Sequence, residues 1–585
     1  MSMNQENLSN KRHSLAHLLA AAVMQLYPDS KRTIGPAIDD GFYFDFEFSK
    51  PIVESDLEKI EAKMREILPT WSTFERSELT ADEAKAEYPG NQYKHELIDE
   101  FTKDGEKVSF YKSGDYWDLC RGGHVNNMSE IDPQSFKLNR LAGAYWRGDE
   151  NNKMLTRIYG LAFDTKEELK AHIKTLELAK LNDHRKLGQE LDLFTFSDLV
   201  GAGLPLFTPK GTVIRTEIQN YLLEISRKFK MLPVTIPHIA KIDLYETSGH
   251  AAKFGDELFK VTSHYNQEFV MKPVNCPHHT QIYASRPRSY RDLPLRYMES
   301  TMQYRDEKPG EIGGLTRVRA ITVDDGHIFC RVDQIKEEAK NIGLIIQKFY
   351  SSLGMYGNHW VSLSLRDSEH PENYIGDDED WKQAEQMLQE VSDELNLDAK
   401  RMEGEAAIYG PKLDYMFKDS TGKERQLATI QIDFAMPKRF KLTYTDNEGK
   451  DTNPVIIHRA ILGSYERFLS ILIEHFGGAF PLWLSPVQVM VLPISDKHID
   501  YANRFIEKAL EQNPNARIEI DDRSESVGKK IREAATQKIP YLLVVGDKEI
   551  EANSVAVRAR GDQDLGVMKA EEFIKKLNDE ITNKK

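Results

Sequence analysis

A chain of 585 residues is long enough for several domains at roughly 150 residues each, and its 40% hydrophobic, 29% charged composition excludes a fibrous, disordered or low-complexity protein. The formal net charge of -15 argues against nonspecific coating of nucleic acid but leaves room for a local basic path. Cys120, Cys276 and Cys330 are too few for a disulfide framework, which points to a reducing cytoplasm, and no run reaches the roughly 18 apolar residues that would span a bilayer.

The first 164 residues read as one α+β domain, with an amphipathic helix after Ser9 and strand-like runs at 41–48 (GFYFDFEF) and 107–111 (KVSFY). Residues 11–27 imitate a secretory leader, two basic residues ahead of an apolar run, but His13 and His17 inside the run argue against one. Those histidines are four apart and share a helix face, and with Cys120 and His124 (YWDLCRGGH) they have the composition of a zinc site. Thr165 and Glu168 form a capping box that opens a polar connecting helix over 165–186.

The largest block, 187–485, has a helix at 212–229 that leads to Pro237, followed by β-rich segments that predict a large antiparallel sheet. Within it, 297–330 reads as strand, loop and strand, with Arg305, Arg317 and Arg319 around the loop. Paired strands presenting arginines suit a polyphosphate, because the guanidinium fork donates bidentate hydrogen bonds to phosphoryl oxygens. Further on, Gly463, Ser464, Glu466 and Arg467 open an apolar helix that can bring a second arginine to the same nucleotide. After Trp483 to Pro486, short apolar strands alternate with helices over 486–585, the pattern of a small α/β domain.

These segments resemble the three motifs of class II aminoacyl-tRNA synthetases, in order: a helix and strand ending at Pro237, a strand-loop-strand with Arg305 and Glu307, and a helix start with Gly463, Glu466 and Arg467. KPVNCPHH around Cys276, VDDGHIF around His327 and PVIIHRAILGSYER around His458 narrow the resemblance to the threonyl-specific family, along nearly the whole chain. The resemblance implies an ATP site of Arg305, Glu307, Arg317 and Arg467, with Mg²⁺ accompanying ATP. Cys276, His327 and His458 would hold one Zn²⁺ with a position open to substrate. Asp325, Tyr409, Gln426 and Gln431 would face L-threonine, Lys412 would reach the phosphate side, and His250 would assist attack by the terminal ribose hydroxyl. Ile321 and Val323 (RAITVDD) depart from a pattern that usually places an aromatic residue over adenine and a glutamine towards substrate.

A metal has a chemical purpose in such a pocket. Threonine and valine are nearly isosteric, and a site that demands the hydroxyl rejects its absence by roughly 10⁴ to 10⁵. Serine keeps the hydroxyl and lacks one methyl, worth only roughly 10- to 200-fold, so correction by a second site is expected. His13, Lys94, Asp118 and His124, with His17 and Cys120 beside them, resemble the editing site that threonyl- and alanyl-type enzymes share, where the threonyl type hydrolyses without a metal. Ser524, Arg532, Glu549 and Arg558 match anticodon-reading positions, with Ser524 where the family often has Asn. The whole therefore predicts an α+β multidomain cytoplasmic homodimer: editing domain 1–164, connecting helix 165–186, class II antiparallel-sheet catalytic domain 187–485 and anticodon-binding domain 486–585. The ubiquitin-like domain common ahead of the editing domain is expected to be missing. Two rivals are a noncatalytic RNA-binding paralogue, disfavoured by the retained arginines and metal ligands, and an alanyl-type enzyme, disfavoured by domain order.

Overall fold

The computed structural model describes residues 3–103 and 105–584, which divide into two compact units, Met1–Glu177 and Leu178–Lys585. The first is built on a 24-residue helix, Met3–Leu26, whose segment from Leu15 to Val23 is buried all round. The leader-like run is thus the core helix of the unit. It packs with Phe42, Phe44 and Phe46 of the strand Gly41–Glu47, and each such side chain contributes about 1.5–3 kcal/mol by leaving water. That strand pairs with Met154–Ala162, which pairs with Phe136–Tyr145. A separate three-stranded sheet, Glu75–Leu79, Val108–Ser113 and Tyr116–Leu119, carries the segment that leads to Cys120.

The capping box at Thr165 forms, with Glu168 N–H donating to Thr165 Oγ1 and Glu168 Oε2 accepting from Thr165 N–H, each at 3.2 Å. The helix it opens ends at Leu181, short of the expected 186. Asp183 stops it: its carboxylate accepts from Arg185 N–H and caps a second helix, His184–Glu190, a local bond that competes with continued helix.

In the second unit, eight strands form one sheet, antiparallel except at its two edges. Its back face is apolar. Leu413, Ile430, Ile432, Ile457 and Ile328 pack there with residues of the helices Pro209–Lys228, Ile335–Ser352, Asp378–Glu394 and Tyr465–Phe476. With a two-residue side-chain period, the intervening residues of the same strands must project from the front. The front is therefore polar, the arrangement of a half-covered antiparallel sheet. Beyond Trp483 a five-stranded mixed sheet with helices follows in the same unit, its core built on Val489, Leu543, Val557 and Phe573. Among the described residues no helix is long and apolar enough to cross a membrane.

Candidate functional site

Register across the front face assembles the site. Lys412 lies opposite Gln431, Gln431 opposite His458, His458 opposite His327, and His327 opposite Tyr297, so five strands contribute one residue each to a single row. The neighbouring row runs Asp414, Thr429, Ala460, Asp325 and Glu299. Directly opposed residues share a face, so the rows form a continuous floor. Cys276, first residue of the helix Cys276–Ala284, brings its thiol to this floor, and the ligand atoms of Cys276, His327 and His458 all lie within 4.8 Å of one another.

Neighbours orient these groups. Asp433 Oδ2 lies 2.9 Å from His458 Nε2, leaving Nδ1 free, and His279 Nδ1 lies 2.7 Å from His327 Nδ1, leaving Nε2 free. Asn275 Nδ2 donates to Asp325 Oδ2 at 3.0 Å, and Asp325 Oδ1 stands 3.7 Å from His327 Nε2. Burial pushes the Cys276 thiol well up and the His327 imidazole well down, so both resist charge until a cation arrives. One soft thiol, two imidazoles and outer partners fixing the free ring nitrogens fit a zinc ion. Beneath the floor, Arg459 and Asp324 form a fully buried pair at 2.8 Å. Gly326 is required there, since a Cβ would fall 2.5 Å from Arg459 Nε.

The arginines expected to meet a nucleotide adjoin the same cleft, a cavity of about 380 Å³ lined by Cys276, His327, His458, Asp325, Tyr409, Gln426, Gln431, Arg305, Glu307, Arg317 and Arg467, with Ile321 and Val323. Arg305 stands 4.8 Å from the Phe254 ring centre. Glu307 accepts from Arg317 Nε at 2.7 Å, and Arg467 Nε donates to Thr316 O at 3.2 Å. Ser464 Oγ caps the helix that carries Arg467, with Gly463 in the left-handed region at φ +72°. Two expected residues stand outside the lining. Lys412 is drawn to Asp414 at 2.6 Å, which also accepts from Gln426 Nε2 at 2.6 Å. His250 is buried with Nδ1 2.9 Å from Ser248 Oγ and its ring 5.5 Å from that of Tyr409, and burial, then His458, hold its imidazole down at about 3.

In the first unit the four ligand-type side chains also converge: His13 Nε2 and His124 Nε2 lie 3.5 and 3.3 Å from Cys120 Sγ, with His17 in the same cluster. Gly122 and Gly123, both at positive φ, fold His124 back onto Cys120, and a Cβ on Gly122 would fall 2.6 Å from Tyr111 Oη. Lys94 and Asp118 are a buried pair beside the cluster at 2.7 Å. Asp118 also accepts from Tyr88 and Tyr116 at 2.5 and 2.8 Å. Burial would raise Asp118, but Lys94 and Arg32 outweigh it and hold the carboxyl well below the usual range. Burial lowers all three imidazoles, His124 to about 3, so they are neutral near pH 7.

The anticodon candidates do not gather at one point. Ser524 and Glu549 lie just beyond the C-terminal ends of the parallel strands Ile518–Ile520 and Tyr541–Val545, and Arg532 is exposed on the helix Val527–Thr536. Arg558 pairs with Leu542 at the opposite end of Tyr541–Val545.

Sequence reading missed Asp433, His279, Asp414 and the Arg459–Asp324 pair. Asp433 was findable, two residues after Gln431 on one strand face, and so was His279, one helical turn after Cys276. Asp414 was findable in the same way, two residues after Lys412 on one strand face, but its contacts with Gln426 and Ser364 are non-local and left no such mark.

Comparison with known proteins agrees with this geometry. The family described as "tRNA synthetase class II core domain (G, H, P, S and T)" matches residues 259–476, "Anticodon binding domain" matches 488–580, and "Threonyl and Alanyl tRNA synthetase second additional domain" matches 108–159. Threonine–tRNA ligases of Staphylococcus aureus strains JH9 and Newman are each 47% identical over 584 residues, covering 100% of this chain and 90% of the relative. The crystal structure of the RNA binding domain of threonyl-tRNA synthetase from Cryptosporidium parvum Iowa II aligns with TM-score 0.64 and 35% identity, over 68% of this chain and 98% of that one. A Giardia lamblia prolyl-tRNA synthetase at 17% identity and TM-score 0.55, covering 70% of this chain and 80% of that one, shares the fold alone. With near-half identity along its full length and a class II core, this chain belongs to the threonine–tRNA ligase family of class II aminoacyl-tRNA synthetases.

Proposed function

We propose that the chain uses ATP to attach L-threonine to tRNA(Thr) through a threonyl-adenylate, and hydrolyses seryl-tRNA(Thr) made in error. The observation that carries this reading is the cleft in which Cys276, His327 and His458 stand beside Arg305 and Arg467 on one sheet face. Arg305 and Arg467 hold the α- and γ-phosphate sides of Mg²⁺-ATP and stabilise charge that shifts as the α-phosphorus is attacked. Glu307 faces the adenine amino group, with Arg317 steadying its carboxylate. Cys276, His327 and His458 would hold a zinc ion, which would supply a Lewis acid for the amino group and hydroxyl of threonine. Asp325, oriented by Asn275, accepts a hydrogen bond from the substrate hydroxyl and fixes it, while Tyr409, Gln426 and Gln431 wall the amino acid. Lys412 exchanges Asp414 for the phosphate side when substrate enters. His250, its ring 5.5 Å from that of Tyr409, assists attack by the terminal ribose hydroxyl.

In the first unit the neutral imidazoles of His13 and His124, with His17 and Cys120 beside them, orient water against the mischarged ester, and the Lys94–Asp118 pair sets the local field. Ser524, Arg532, Glu549 and Arg558 read anticodon bases. The same reading divides the chain at 1–164, 165–186, 187–485 and 486–585, joins two chains through the 212–237 helix and strand, and places the protein in the cytoplasm. Three unpaired thiols fit that compartment.

Threonine-dependent ATP–pyrophosphate exchange, with metal quantified in the same sample, tests the proposal. One zinc per chain and exchange with threonine but not valine are expected, and Cys276→Ala should lose both metal and exchange. Exchange that ignores threonine, or survives full removal of metal, would overturn it.

A further inference from the structure

Asp183, His184 and Glu474 bring ligand-type atoms within 4.8 Å of one another, a third such cluster among the described residues. Its hydrogen bonds leave no ring nitrogen for a cation. His184 Nδ1 lies 2.7 Å from Glu474 Oε1, and His184 Nε2 accepts the Leu315 backbone N–H at 3.2 Å. A backbone N–H only donates, so Nε2 is the unprotonated nitrogen and Nδ1 carries the proton it gives to Glu474. Ser420 Oγ donates to the other Glu474 oxygen at 2.7 Å, and Asp183 is engaged by Arg185, so neither carboxylate is free.

The ring reaches the Leu315 backbone because residue 314 has no side chain. Gly314 sits at φ +50°, and a Cβ there would fall 2.4 Å from His184 Nε2. Leu315 is fully buried and the His184 side chain is 6% exposed, so bulk water cannot replace the contact. The next two residues face the nucleotide cleft. Thr316 offers its carbonyl to Arg467 Nε, and Arg317 donates to Glu307.

We propose that Glu474 and His184 are positioning residues for the ATP-facing loop: by holding Leu315 N–H they set where Thr316 and Arg317 stand, and through Thr316 the direction of Arg467. The inference rests on the reading that this cleft binds ATP. Neither residue touches substrate, so its loss should act on ATP and spare the other reactants.

In threonine-dependent pyrophosphate exchange, His184→Ala is expected to raise KM for ATP about tenfold, with KM for threonine and hydrolysis of seryl-tRNA(Thr) staying within about twofold. His184→Gln, whose amide oxygen reaches Leu315 N–H, should recover most of the loss, and His184→Asn, one methylene shorter, should not. A purely structural role would lower thermal stability without this split between substrates. Deuterium exchange at the Leu315 amide, measured without ATP, should be faster in the Ala and Asn variants and near the unaltered rate in Gln. If His184→Ala does not fold, the Gln and Asn pair carries the test. An unchanged KM for ATP in folded His184→Ala, or Gln and Asn variants that behave alike, would overturn the proposal. If the unaltered chain shows no threonine-dependent exchange, the ATP reading itself falls, while amide exchange at Leu315 still decides the loop contact.

Discussion

Ile321 lines the cleft proposed to bind ATP, where an aliphatic side chain would cover a ring by contact area alone and supply no stacking between π systems. The difference is about 1 kcal/mol. Ile321→Phe should therefore lower KM for ATP by about fivefold in pyrophosphate exchange while leaving KM for threonine in place, and an unimproved KM for ATP would count against a stacking role at this position. Resemblance on short motifs located Cys276, His327, His458, Arg305 and Arg467, because each sits in a distinctive string. The residues that orient them were harder to see. Asp414 meets Gln426 and Ser364, 12 and 50 residues away, and His184 meets Glu474, 290 residues away; no local pattern announces such partners.

At the scale of elements, the core helix Met3–Leu26 carries polar chemistry into an apolar interior. Burial keeps His13, His17 and His124 below the ordinary imidazole value, His124 at about 3. In the unfolded chain each titrates near about 6.5. As the pH falls below that value, the unfolded state takes up protons that the folded state refuses, so this contribution to stability is complete above about 6.5 and is lost as the pH falls, for His124 through about 3. The thermal midpoint of the first unit should fall steadily from about pH 6.5 to about pH 4, and chelator should leave the slope unaltered. A steeper, chelator-sensitive slope would reveal bound metal. Sequence periodicity anticipated the helix and its two histidines but extended the connecting helix past Leu181, because Asp183 ends it through a side-chain bond that periodicity does not register.

At the scale of the molecule, Arg517 joins the region after Trp483 to the catalytic sheet's helix Pro209–Lys228. Its guanidinium donates to Trp483 O at 2.7 Å, to Ser485 O at 2.9 Å and to Glu217 Oε1 at 2.9 Å. Arg517→Ala strips donors from two backbone carbonyls and should cost about 2–3 kcal/mol. Calorimetry should show the C-terminal region melting earlier, with pyrophosphate exchange retained and tRNA charging reduced; a single unshifted transition would refute the link. The row of Lys412, Gln431, His458 and His327 has a consequence of another kind. All four owe their direction to the parity of their strands, so one residue inserted into or deleted from a strand, between its ladder and its functional side chain, turns that side chain into the oily layer beneath. Loop-borne sites can change length by small steps; this one tolerates almost no change in length, and a frame of two residues guards it.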